Sequence, residues 1–93
     1  IMQIIRASEL FKNIRNIYNS DFESSKNITL DFSNINTIDL NAITTLLDIQ
    51  KVALLNNKSI SIENVNPEVS KTLDVTGLNK TFANVATNPV ARK

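Results

Sequence analysis

Apolar residues recur along this chain with two alternating periods, and the switches between them mark the elements. Residues 2–5 form a short apolar piece that reads as a strand. Leu10, Phe11, Ile14, Ile17 and Tyr18 then repeat at three-to-four-residue spacing behind Ser8, which predicts a capped amphipathic helix. A polar cluster at 19–27 ends it. Residues 28–32, ITLDF, are a continuous apolar run, as in a central strand covered on both faces. From 42 to 56 the positions Ile43, Leu46, Leu47, Gln50, Ala53 and Leu54 form one helical stripe, read as core. Asn56 and Asn57 supply a turn, because Asn tolerates left-handed backbone.

Residues 59–63, SISIE, alternate as a half-buried strand. Asn66-Pro67 is a cap followed by a first-turn proline, and the helix that it opens runs to Gly77. Residues 82–85 read as a last short strand, and 86–93 as a flexible tail. The order is β-α-β-α-β-α-β. Such alternation implies a parallel or mixed sheet, taken as a small mixed α/β sheet of about four strands. Right-handed crossovers put the helices mainly on one face of so small a sheet. The whole length, 1–93, is expected to be one domain.

The most informative stretch is 28–42, ITLDFSNINTIDLNA, where a strand crosses a polar loop into an acidic helix start. Asp39 there reads as an N-cap, as a partner-contacting acid, or as both. Leu40 reads either as an exposed apolar anchor or as a turn residue folded onto the core. Thr37, Thr44 and Thr45 offer hydroxyls; phosphorylation of Thr44 or Thr45 is weighed against local hydrogen bonding in the first helical turns. Asp31 reads as a solvated strand-end carboxylate or as part of the same surface.

Charge and chemistry narrow the function. The net charge is +1 and the basic residues are scattered, which argues against a nucleic-acid footprint. The chain has no Cys and no His, so disulfide, thiolate and imidazole chemistry are excluded. Without Cys or His no transition-metal set is expected, and no cofactor is expected; a single glycine leaves no Gly-rich phosphate loop, and weak nucleotide binding at the Asp39 helix start stays open. No segment reaches the length of a bilayer span and none resembles a leader peptide, which makes the cytoplasm the default location.

Residues 28–47, ITLDFSNINTIDLNAITTLL, resemble the centre of STAS domains, the sulfate-transporter and anti-sigma-factor-antagonist family. Residues 59–82, with Leu-Asp-Val-Thr-Gly-Leu and then Phe at the end, resemble that family's ending, so the likeness covers about 28–82. The resemblance implies a non-enzymatic protein-interaction module of bacterial regulation. In the antagonists, a Ser after the loop Asp is phosphorylated by a partner kinase. Here Asp39 matches that Asp, while Leu40 holds the Ser position and Ala42 the usual Gly. Relative to that pattern, the usual first strand and the long C-terminal helix are expected to be reduced.

The implied partner is an anti-sigma factor or kinase-like regulator, docked around Asn36, Thr37, Asp39, Leu40, Asn41 and Thr44 without a phosphoserine switch. The alternative is a small STAS subunit seated on the ATPase of a phospholipid ABC transporter. Neither implies membrane insertion, and pairing into a homodimer stays open.

Overall fold

A computed structural model describes residues 2–87. The strands are β1 (Met2–Arg6), β2 (Asn27–Asp31), β3 (Ser59–Val65) and β4 (Asn84–Thr87). They stand side by side in chain order, and all three pairings are parallel. The antiparallel component of a mixed sheet is therefore absent among the described residues. The reason is local: every pair of successive strands is separated by helical structure, so each strand re-enters in the same direction.

The register explains which side is covered. Ile5, Leu30, Ile62 and Val85 form one row across the sheet, and Gln3, Ile28 and Ile60 form the next. Except for Gln3 and Val85, these side chains are buried in the single core cluster, together with Leu10, Phe22, Leu46, Ile49, Val69 and Leu73 from the helical side. The opposite row is Ile4, Thr29, Ser61 and Asn84. Met2 and Ile4 of the edge strand β1 stand in solvent there, while the central strand β2 is buried on both faces at Ile28, Thr29 and Leu30, as its continuous apolar run predicts. Thr29 is buried on that open face, with its hydroxyl 3.8 Å from the Met2 sulfur.

The first helical region differs from the single helix that the spacing predicts. It is divided into α1 (Ala7–Lys12), a 3-10 turn (Ile14–Ile17) and α2 (Ser20–Ser24). Three asparagines make the breaks by bonding backbone groups that a continuous helix would pair. Asn13 accepts from the Arg15 amide at 2.9 Å, Asn16 donates to the Glu9 carbonyl at 3.1 Å, and Asn19 accepts from the Phe22 amide at 2.9 Å. Ser8 does not cap α1, because β1 runs directly into the helix at Ala7.

The long helix α3 (Leu40–Leu55) buries Ala42, Leu46, Ile49 and Ala53. Only part of the predicted stripe is therefore core: Leu47 and Leu54 point to solvent, and Ile43 and Gln50 are half-buried. Asn57, at φ 57°, reverses the chain after α3. Lys58 then donates its ammonium protons to the carbonyls of Phe22, Glu23 and Ser25 at 2.8, 3.0 and 2.8 Å, closing the end of α2. The last helix, α4 (Pro67–Thr76), begins at the Asn66 cap and stops at Gly77, whose φ of 80° suits a residue without Cβ. Ala86 and Thr87 belong to β4 and not to a tail; the remainder of the expected tail lies outside the described residues.

Candidate functional site

The corner between β2 and α3 is built from the chain outward. Phe32 is fully buried under the sheet end, and the Ile35 amide returns to its carbonyl at 2.9 Å, turning the loop. Ile35 and Ile38 pack partly against the core and hold the loop down. Asn66, thirty positions on, completes the anchorage. Its amide donates to the carbonyls of Ile35 and Asn36 at 3.2 and 3.3 Å, while its oxygen accepts from the Val69 amide at 2.9 Å. One side chain thus caps α4 and clamps the loop.

Asp39 caps α3: Oδ1 accepts from the Ala42 amide at 2.9 Å and its carbonyl accepts from the Ile43 amide at 3.0 Å. The cap reading of Asp39 is therefore met by geometry. Leu40 follows at the first helical position and is 77% exposed, so it is not folded back onto the core. Asn36, Thr37, Asp39, Asn41 and Thr44 are all exposed as well. The Thr44 hydroxyl donates to the Leu40 carbonyl at 3.0 Å, and Thr45 donates to Asn41 at 2.9 Å, which is the local bonding expected of first-turn threonines. All six expected contact positions thus lie at the surface within one loop and one helical turn.

Asp31 occupies the end of β2, half-buried rather than freely solvated. Its Oδ1 accepts from the Ser33 hydroxyl at 2.6 Å, the Ser33 amide at 3.0 Å and the Asn64 side chain at 3.0 Å. The Ser33 hydroxyl bond, then that of Asn64, holds the carboxyl below its ordinary pKa. Asn64 reaches it from an irregularity in β3, where a φ of 60° adds a residue between the pairs Ile62–Val85 and Val65–Thr87. The recess beside Asp31, shared with Arg6 and Ser33, holds only about 10 Å³, so Asp31 fixes the strand end and does not line a ligand cavity.

The chemistry on offer is that of contact. Among the described residues, no group of three or more Asp or Glu side chains converges as a metal site would require. No helix there is long and apolar enough to cross a membrane. The surface instead offers an apolar tip beside a capped, anchored helix start.

The profile of the family described as Mlab, STAS domain, matches residues 9–86 of this chain. The chain belongs to the STAS family. The four-stranded parallel sheet with its helical connections is consistent with that fold. STAS domains are protein-interaction or regulatory modules, generally without catalytic activity. No solved structure matches the chain significantly.

Two features of this STAS domain escape the sequence reading. The Asn66 clamp depends on a contact across 30 positions that no local pattern announces. The solvent-facing leucines of α3 have a signal, the seven-residue spacing of Leu40, Leu47 and Leu54, which the adjacent core residues Leu46 and Ala53 mask.

Proposed function

We propose that this STAS domain is a non-catalytic docking module of bacterial regulation, similar to the anti-sigma factor antagonists. It binds a regulatory partner in the cytoplasm through Asn36, Thr37, Asp39, Leu40, Asn41 and Thr44. The observation that carries the reading is Leu40: a large apolar side chain, 77% exposed, on a helix start whose preceding loop is clamped. An apolar group set among polar neighbours on a rigid element is the form that binding hot spots take.

Leu40 holds the place of the antagonists' phosphorylated Ser and has no hydroxyl to modify. Docking at this corner is therefore not switched by phosphate at position 40. That same feature favours a second reading, in which the domain is a standing subunit on the ATPase of a phospholipid ABC transporter, where no release step is needed.

The test is affinity capture from the native cell with the wild-type chain and with Leu40→Asp. Recovery of a kinase-like ATPase-fold regulator, lost with the variant, supports the antagonist reading. Recovery of a transporter ATPase, equally lost, moves the assignment to the second. Capture that ignores the substitution refutes docking at this corner.

A further inference from the structure

Among the described residues, half of the large apolar side chains that stand in solvent are on α3: Leu40, Leu47, Leu54 and Leu55. The first three are seven residues apart, which brings successive side chains back to within about 20° on an α-helix. They form a ridge on the side away from Ala42, Leu46, Ile49 and Ala53, with exposed Thr44 and Lys51 between them. Beside the ridge's C-terminal half lies an open groove of about 310 Å³ lined by Leu47, Gln50, Lys51, Leu54 and Thr81. Its lining is mainly aliphatic, and the Gln50 amide donates to the Thr81 hydroxyl at 2.6 Å across it.

We propose that this face binds a second copy of the chain, with two α3 helices antiparallel about a two-fold axis near Thr44 and Leu47. The argument is self-complementarity, which such an interface requires because both copies present one patch. The patch carries a knob, Leu40, and a hole, the groove beside Leu47 and Leu54, about two to four helical turns away on the same helix. Antiparallel pairing seats each Leu40 in the other copy's groove.

The charges agree with that register. Asp39 precedes the knob and Lys51 rims the groove, so each Asp39 meets the other copy's Lys51. Asp39 Oδ1 is engaged by the Ala42 amide, which leaves Oδ2 for the lysine. Among the described residues, the one ion pair within the chain is Lys12–Glu9, so neither charge is spent internally.

The area suffices. Leu40, Leu47, Leu54 and Leu55 are 77, 48, 78 and 79% exposed. The three ridge leucines, Leu40, Leu47 and Leu54, present on the order of 350 Å² of apolar surface, the size of the largest patch on many monomers and a fitting centre for an interface of about 800 Å² per copy. Pairing covers Leu40 and so competes with partner docking at the same corner. It does not depend on that docking, and its test needs no partner.

The experiment is sedimentation equilibrium on the purified chain from micromolar to near-millimolar concentration, with far-ultraviolet dichroism to confirm folding of each variant. A monomer–dimer equilibrium is expected. Leu54→Glu weakens it by about 30-fold or more, and Leu54→Gln, milder toward the helix, acts in the same direction. Asp39→Asn keeps a capping oxygen and removes the charge; it and Lys51→Gln each weaken the dimer, and the double variant is no weaker than either alone. Ile4→Glu, on the open sheet face, leaves the dimer intact. A monomer at every concentration overturns the proposal, as does a dimer that tolerates Leu54→Glu or one that Ile4→Glu dissolves.

Discussion

Replacing Leu40 with Asp separates what holds the fold from what docks. Leu40 is 77% exposed, so only about a quarter of its side-chain burial is at stake. Full burial of a leucine contributes about 2–3 kcal/mol, which sets the loss here near 0.5 kcal/mol. Against that, a carboxylate at the first position of α3 gains about 0.3–1 kcal/mol from the helix dipole, reduced by repulsion from neighbouring Asp39. The two effects nearly cancel, and stability should change by less than about 0.5 kcal/mol. Docking behaves differently, because an apolar anchor replaced by a charge loses a hot spot of about 2 kcal/mol, close to 30-fold in affinity. Urea unfolding of a dilute sample reads the first quantity, and titration calorimetry with the captured partner reads the second. A stability loss above about 1.5 kcal/mol would show that Leu40 is a core residue after all. Unchanged affinity would place the interface elsewhere.

Three further outcomes follow from the hydrogen-bond geometry. Lys58→Met leaves the carbonyls of Phe22, Glu23 and Ser25 without their shared cation and should cost about 2 kcal/mol in urea unfolding, with amide protection in α2 falling first. Asn66→Ala removes the α4 cap and both loop clamps, so a loss of about 2 kcal/mol is expected, with faster hydrogen exchange across residues 32–39; unchanged exchange there would refute the clamp. Asp31 titrates below its ordinary value because the folded state donates to its carboxylate, so its contribution is present above the unfolded pKa and is lost as pH falls through the folded one. Asp31→Asn should therefore flatten the loss of stability on acidification below about pH 4, and an unaltered acid slope would contradict that assignment.

The order of elements was legible because burial here follows the period of each element closely. Ile28 and Leu30 pair with Ile60 and Ile62 in register, and all four alternate with polar or exposed positions on at least one strand. Asn66-Pro67 and Gly77 bounded α4 by side-chain and backbone chemistry alone. The first helical region was misread for an instructive reason: Leu10, Ile17 and Phe22 all reach the core, so the burial pattern survives while the backbone between them is broken. Asparagine competition for backbone groups, not hydrophobic spacing, decided the break. The α3 stripe was too wide for a similar reason. Leu46 and Leu47 are adjacent and chemically identical, and only the sheet's position buries the first and exposes the second. At the candidate site, Asp39 was readable as a cap from its place before an apolar-periodic run. The Asn66 clamp was not, since it exists only once β3 lies beside β2.

These restraints bear on how the outer face of α3 is presented. Its inner face is pinned by four buried residues, its start by the Asp39 cap, and its end by the left-handed Asn57 turn. The loop that enters it is tied to α4 by Asn66. A surface fixed at so many points loses little conformational freedom on binding, so more of its contact energy appears as affinity. On the proposed reading, that rigidity substitutes for the missing hydroxyl. A helix start that carries Ser can be released by adding phosphate, because about two negative charges then stand where the partner packs. Leu40 removes that control, and under the two proposals together competition for the ridge takes its place: a second copy and a partner would both require Leu40, and whichever is more concentrated relative to its dissociation constant would hold it.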